Sequence, residues 1–110
     1  MNLTIQTTED KEKSCLNLSG EIDAYTAPQL KEALLPLTSK SETQVEVNLQ
    51  NVTYMDSTGL GVFVSALKSS KANDSKLTLV NLQERVRRLF KITGLDEVID
   101  INDKVRGGNT

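Results

Sequence analysis

The stretch QVEVNLQNVTYMDSTGLGVFVSALK, residues 44–68, decides the fold of this chain. In its first six residues valine and leucine alternate with polar residues, which is the two-residue period of a strand with one buried face. From Leu60 to Leu67 apolar residues recur instead at three- and four-residue intervals, the pattern of a helix that packs through one side. Residues 51–56 predict the turn between them. The stretch therefore predicts a strand–turn–helix unit of an α/β protein.

Before this unit the sequence predicts a hairpin and then a helix. Two segments of alternating apolar residues, 3–5 and 16–22, flank a charged stretch and predict two strands. Thr26, followed three residues later by Gln29, is a capping-box pattern that predicts a helix start. Pro36 lies inside this helical pattern, and both a kink and a stop at Pro36 are compatible with the sequence.

After the unit the sequence predicts one more strand and one more helix. Residues 77–79 carry the strand pattern, and Asn81 with Glu84 resembles a second helix cap. Gly94 is placed to stop that helix, and residues 98–101 predict a last short element. The order β-β-α-β-α-β-α-(β) predicts an α/β fold with one mixed β-sheet and helices packed on one face.

Length and charge restrict the possible functions. A chain of 110 residues predicts one domain, residues 1–101, followed by a polar C-terminal tail, residues 102–110. Fifteen acidic and 13 basic residues leave a net charge of −2, which argues against direct nucleic-acid binding. No segment has the roughly 18 consecutive apolar residues of a membrane span, and no apolar leader begins the chain. We therefore expect a cytoplasmic protein with no membrane partner.

The residue types that catalysis and cofactors require are scarce. The absence of His removes the commonest general base near neutral pH and the commonest metal ligand. A single cysteine, Cys15, has no second thiol for a disulfide or a metal pair, which suits a reducing compartment. The chain has no Trp and only two Tyr and two Phe, so it has few aromatic residues to line a cofactor pocket. We expect a binding protein with no catalytic residues, no metal site and no other cofactor.

Two loops are expected to share one edge of the sheet. If the strands that contain Leu18 and Leu49 are parallel, the loops that leave them, residues 20–25 and 51–57, emerge on the same side. Open α/β sheets place their functional sites at that edge. The two loops are therefore the first place to look for a site.

The second of these loops carries small hydroxyl residues where a helix begins. Asp56, Ser57 and Thr58 precede Gly59, and such residues form ordinary helix caps in many proteins. The glycine permits either close packing or access of a partner to the backbone. Local chemistry favours the cap over a functional hydroxyl, and periodicity does not distinguish the two.

Three motifs in order resemble one known family. They are GEIDAYTAP at residues 20–28, YMDSTGLG at residues 54–61 and RLFKITGL at residues 88–95. Together, over nearly the whole chain, they resemble the STAS-domain anti-sigma-factor antagonists, and most of all those that control the general-stress sigma factor B. Three motifs in register are much more specific than one Asp-Ser pair. The resemblance implies a STAS-type fold.

The resemblance also implies a regulatory mechanism. In this family the unphosphorylated antagonist binds an anti-sigma factor that is also a serine kinase, and this releases the sigma factor for stress-response transcription. The kinase phosphorylates the serine after the motif aspartate, here Ser57, which inactivates the antagonist. A PP2C-type phosphatase, with metal in its own active site, restores binding. The implied partner contacts are Asp23, Asp56, Ser57, Thr58 and Gly59, and Thr58 is either a second modified hydroxyl or a support for the helix start.

A phosphate at Ser57 has a simple expected effect. It adds a charge of about −1.5 to −2, and the amides of Thr58 and Gly59 at the helix start are expected to tolerate it, so that the fold is kept. Binding is expected to suffer, because a charge buried at an interface without a counter-ion is costly. Two alternatives remain: a STAS-like module that binds a ligand or nucleotide, and a small phosphotransferase that uses Asp56 or Ser57 covalently. The second lacks an activating base.

Overall fold

A computed structural model describes residues 2–102. Over that part of the chain the protein folds into one β-sheet with helices packed on it. In chain order the elements are β1 Leu3–Glu9, β2 Lys13–Ile22, α1 Ala27–Thr38, β3 Gln44–Met55, α2 Ser57–Asn73, β4 Lys76–Val80, α3 Glu84–Ile92, a 3-10 turn Leu95–Glu97 and β5 Asp100–Asn102. Asn102 therefore ends a strand and does not begin the predicted tail. The rest of that predicted tail lies outside the described residues.

The five strands form one mixed sheet in the order β1-β2-β3-β4-β5. β1 is antiparallel to β2, as the hairpin pattern predicts, while β2, β3, β4 and β5 are parallel to their neighbours. Each parallel connection passes through a helix or a helical turn. The carboxyl ends of β2 and β3 meet in register, with Ile22 opposite Met55. The predicted mixed α/β sheet is confirmed.

The helices pack on the sheet through one hydrophobic core. Val47 and Leu49 of β3 are fully buried, as the alternation in the sequence predicts. Phe63 of α2 and Phe90 of α3 are also fully buried and meet edge to face, with ring centroids 5.8 Å apart and an interplanar angle of 66°. Each such side chain contributes about 1.5–3 kcal/mol by burial, and an aromatic pair adds about 0.5–1.5 kcal/mol. The core thus fixes where α2 begins on the sheet.

Strand β3 is longer than the sequence pattern predicts. Residues 51–55 form its second half and pair with β2, so the predicted turn there is wrong. The alternation is hidden because the pairing register shifts between Asn17 and Ser19 and again between Gly20 and Glu21. A bulge moves the side chains to new faces, which breaks the two-residue period. The turn into α2 is reduced to Asp56 alone.

The helix start predicted at Thr26 is confirmed, but the capping box there and the cap predicted at Asn81 are wrong. The question of Pro36 is answered as well. Helix α1 continues through Pro36 to its last residue, Thr38. Thr26 precedes α1 but its side chain makes no cap hydrogen bond, and the Gln29 amide instead donates to the carbonyl of Leu3 at 3.0 Å. The residue that precedes α3 is Gln83, with no side-chain cap bond, and not Asn81. Gln29 thus makes a tertiary hydrogen bond in place of the local capping-box bond, and α3 begins two residues later than its predicted cap implies.

Candidate functional site

The loop from β2 to α1 is held by the side chain of Asp23. Its Oδ1 accepts hydrogen bonds from the amides of Tyr25 at 2.9 Å and Thr26 at 3.0 Å. Thr26 reciprocates, because its hydroxyl oxygen accepts from the Asp23 amide at 2.9 Å and its O–H donates to the carbonyl of Glu21 at 2.8 Å. Thr26 is buried, whereas the bond from the Tyr25 amide to Asp23 is exposed. The loop is thus tied by several short hydrogen bonds, and Asp23 accepts two of them from backbone amides.

The same network changes the acidity of Asp23. Burial acts to raise the pKa of this carboxyl, but the amides of Thr26 and Tyr25 donate to the charged form and the net effect lowers the pKa. Asp23 is therefore a carboxylate at neutral pH. Asp23 thus acts as a turn residue, because its side chain accepts the amides of the loop.

The turn from β3 to α2 is held by Asp56, the residue before the helix. Its Oδ1 accepts from the amides of Thr58 at 3.0 Å and Gly59 at 3.1 Å, so it caps α2. Its own amide donates to the carbonyl of Ile22 at 3.2 Å, which ties this turn to the end of β2. The structure thus brings the two predicted loops together at one edge of the sheet.

The remaining predicted site residues differ in their access to solvent. Ser57 and Thr58 are exposed in the first turn of α2, whereas Gly59 is buried. A Cβ on Gly59 would lie 2.7 Å from Cγ2 of Ile22 and 2.9 Å from Cγ of Met55, so the position serves packing. The expectation that the Thr58 and Gly59 amides receive a phosphate on Ser57 is corrected, because Asp56 already occupies both amides.

Beside these residues lies an open hollow of about 350 Å³. It is lined by Glu21, Asp23, Ala24, Tyr25, Tyr54 and Asp56. Tyr25 is 83% exposed and Tyr54 is 43% exposed, and neither was assigned to the site from the sequence. Both stand inside the motifs quoted above, and a large aromatic residue in a polar turn was the available signal. Carboxylates and aromatic rings together favour a protein or a cation as the occupant.

Other kinds of site were sought in the same part of the chain. Within residues 2–102, no group of three or more Cys, Asp and Glu side chains is arranged to hold a metal ion. No helix in that range is both long and apolar enough to cross a membrane. The lone Cys15 is half-buried on β2. The edge that carries Asp23 and Ser57 is accordingly the candidate site.

The fold agrees with the comparison with protein families. The model of the STAS domain matches residues 4–107, and the chain belongs to the STAS-domain family. The chain is 44% identical over 103 residues to the anti-sigma-B factor antagonist of Staphylococcus aureus, covering 94% of this chain and 95% of that protein. It is 45% identical over the same length and with the same coverage to the anti-sigma-B factor antagonist of Staphylococcus epidermidis. The family resemblance inferred from the three motifs is confirmed.

Solved structures give the same fold. A proposed anti-sigma factor antagonist from Thermotoga maritima has a TM-score of 0.84 and 25% identity, covering 94% of this chain and 90% of that one. The Bacillus protein SpoIIAA matches in its unphosphorylated form, with a TM-score of 0.72, 19% identity and coverage of 91% and 88%. Its phosphorylated form matches with a TM-score of 0.70, 18% identity and coverage of 96% and 97%. One fold therefore describes both forms of SpoIIAA.

Proposed function

We propose that this protein is an anti-sigma-factor antagonist whose partner is an anti-sigma factor with serine kinase activity. In its unphosphorylated form it binds this partner in the cytoplasm, and the sigma factor, of the general-stress type, is released. Phosphorylation of Ser57 by the partner inactivates the antagonist, and a PP2C-type phosphatase reverses the modification. The protein is thus a substrate of two enzymes and catalyses no reaction itself.

The observation that carries this proposal is the placement of Ser57. The residue is exposed at the first position of α2, and within residues 2–102 its hydroxyl makes no hydrogen bond. Asp56, and not Ser57, caps the helix. A kinase can therefore reach this hydroxyl and modify it without removing a contact of the fold. The names of the staphylococcal relatives support the same function.

Charge explains how one modification would act as a switch. A phosphoserine adds about −1.5 to −2 charge units beside Asp56, Asp23 and Glu21, which already make this edge acidic. An interface on this edge would have to bury the added charge, and a penalty of about 4 kcal/mol weakens affinity roughly a thousandfold. The hydrophobic core does not include Ser57, so the fold survives. SpoIIAA, which has this fold in both forms, is a precedent.

The test is a reconstitution with the purified anti-sigma kinase of the same organism. We expect the unmodified protein to bind that kinase, and incubation with ATP to place one phosphate on Ser57, as found by peptide mapping. The phosphorylated protein should bind about a thousandfold more weakly with an unchanged circular dichroism spectrum. Addition of a PP2C-type phosphatase and its metal should restore binding.

Two variants make this test specific. Ser57→Ala should bind the kinase and resist modification, while Ser57→Asp should weaken binding less than phosphate does, because a carboxylate carries less charge. Thr58→Ala is the matched control, since Thr58 is the neighbouring exposed hydroxyl. Phosphate found only on Thr58, or a phosphorylated form that binds as tightly as the unmodified one, would disprove the proposed switch.

A nucleotide-binding function is less well supported. The hollow at the site is lined by Glu21, Asp23 and Asp56, and their negative charges repel phosphate groups. The two helix-start amides that would cradle a phosphate are already bonded to Asp56. Calorimetry of the isolated protein with ATP and GTP should show no binding at millimolar nucleotide.

A further inference from the structure

A phosphate on Ser57 lacks an evident counter-charge at the start of α2. The amides of Thr58 and Gly59 are held by Oδ1 of Asp56 at 3.0 and 3.1 Å. The Asp56 carboxylate is moreover a like charge one residue away. A phosphate therefore gains little from the end of the helix unless Asp56 gives up its cap, which would cost about 1 kcal/mol.

A cation stands across the neighbouring cleft. The amino-terminal halves of α1 and α2 enclose a cleft of about 290 Å³. It is lined by Ala24, Ala27, Pro28, Lys31, Thr58, Gly61, Val62 and Ser65. Among the residues that line this cleft and the acidic hollow, Lys31 is the sole cation. Thr58, which follows Ser57 directly, lies in the opposite wall, which α2 provides.

Lys31 is available for a new partner. Its side chain is exposed on α1, and among residues 2–102 no carboxylate pairs with its ammonium group. A lysine ammonium is a mobile point charge on a four-carbon stem, so it can move across a cleft without displacing a helix. A phosphate dianion attracts such a charge more strongly than a serine hydroxyl does.

We propose that Lys31 is the counter-ion of the phosphorylated site: its ammonium group crosses the cleft between α1 and α2 and pairs with the phosphate on Ser57. This rests on the proposed function, because it concerns the phosphorylated form. The pairing has two effects. It offsets the repulsion between the phosphate and Asp56, which keeps α2 capped, and it places the lysine stem over the cleft. The surface that a partner meets is then changed in shape as well as in charge.

The experiment measures the phosphate directly. Phosphoserine is installed at position 57 of the full chain during translation, so no kinase is needed, and the second ionisation of the phosphate is followed by phosphorus NMR. A cation at contact distance favours the dianion, so replacing it in Lys31→Gln should raise the titration midpoint by about half a pH unit. Lys31→Arg, which keeps the charge, should retain the low midpoint of the parent protein.

A matched lysine provides the control. Lys68 is exposed on the same helix as Ser57, eleven residues further on, which is about 16 Å along the axis and beyond the screening distance at physiological salt. Lys68→Gln should leave the midpoint unchanged. The difference between Lys31→Gln and the parent should shrink at 1 M salt. Circular dichroism checks that each variant is folded.

Equal midpoints in the parent, Lys31→Gln and Lys68→Gln proteins would overturn the role of Lys31. A rise of the midpoint in Lys68→Gln as large as in Lys31→Gln would also overturn it, because the effect would then reflect net charge alone. Failure of the proposed function has a different signature. In that case the kinase leaves Ser57 unmodified in the reconstitution, while the titration of the installed phosphate still reports on Lys31.

Discussion

Gly59 lies directly against Ile22, and a Cβ on Gly59 would stand 2.7 Å from Cγ2 and 3.1 Å from the carbonyl oxygen of that residue. Ile22 is the last residue of β2, and Cγ of Met55, the last residue of β3, would stand 2.9 Å from the same added Cβ. The missing side chain lets the first turn of α2 rest on the ends of two parallel strands. This contact fixes Ser57 at the sheet edge beside the loop of Asp23.

The first prediction concerns this contact. Gly59→Ala should lower the free energy of unfolding by about 1–3 kcal/mol, because the added methyl group meets the backbone of Ile22 as well as side chains. Gly61→Ala is the matched control: nothing lies within 4 Å of its Cβ position, and alanine in a helix is about 1 kcal/mol better than glycine. Urea unfolding of both variants measures these changes in unfolding free energy. Equal stability of the two would show that α2 does not depend on this close approach.

The second prediction separates the cap from the switch. Asp56→Ala should cost about 1 kcal/mol of unfolding free energy, because the amides of Thr58 and Gly59 lose their acceptor. Ser57→Ala should change stability by less than about 0.5 kcal/mol, since an exposed side chain without a fold contact contributes little. Thermal unfolding measures both. A larger loss of unfolding free energy in Ser57→Ala than in Asp56→Ala would show that Ser57, and not Asp56, caps α2.

The third prediction concerns pH. The amides of Thr26 and Tyr25 lower the pKa of Asp23 in the folded protein, so its contribution to stability is present above the unfolded pKa of about 3.9. That contribution is lost as the pH falls through the folded pKa. Asp23→Asn keeps an acceptor for the turn but cannot titrate. Urea midpoints measured from pH 6 to pH 2 should therefore fall less steeply in Asp23→Asn than in the parent protein, and identical slopes would contradict the assignment.

Asp10 should behave in the same way at the hairpin. Its Oδ1 accepts from the amides of Lys13 at 2.8 Å and Glu12 at 3.0 Å, and these bonds lower the pKa of Asp10. Asp10→Asn should remove a separate part of the acid sensitivity. Because Asp10 precedes the amino end of β2 and the candidate site lies at the carboxyl end of that strand, this variant should bind the anti-sigma kinase as the parent does.

The fourth prediction tests the contact surface. Tyr25 is 83% exposed on a turn whose amide is held by Asp23, so its ring is presented at little entropic cost. Tyr25→Ala should weaken binding to the anti-sigma kinase at least tenfold, about 1.4 kcal/mol, with unchanged stability. Ile92→Ala removes an equally prominent side chain, 74% exposed at the far end of α3, and should leave affinity unchanged. Calorimetry measures the affinity of both variants for the kinase. If Tyr25→Ala binds as tightly as Ile92→Ala, Tyr25 is not part of the interface.

The role of the Asp23 charge requires a conservative variant. From the sequence alone, Asp23→Lys is expected to weaken the complex and leave the fold intact, because Asp23 is an acidic residue beside the Ser57 loop and outside the predicted core. In the structure this substitution also removes the acceptor of the turn that holds Tyr25. Weaker binding of Asp23→Lys would thus not show a direct contact. Asp23→Asn, which retains the acceptor, tests the charge alone.

Much of the fold was accessible from local patterns. The alternation around Val47 and the helical spacing around Phe63 predict β3 and α2, because burial on one face leaves a period in the sequence. The period fails at residues 51–55, where the register shift with β2 hides a strand. The cap predicted at Thr26 fails for a related reason, since its hydroxyl bonds to Glu21 and Asp23 instead. Such bonds depend on neighbours that the local pattern does not specify.

The sequence by itself determined the family, the mixed sheet and the edge that carries Ser57, because motifs and periodicity are properties of the chain alone. Only the tertiary structure decided what each site residue does. It buries Gly59 under Ile22, gives the helix amides to Asp56, and brings Lys31 of α1 across a cleft from α2. The physical reason is that steric room, hydrogen-bond competition and electrostatic proximity arise between residues distant in the chain, and these become neighbours only when the sheet and helices pack.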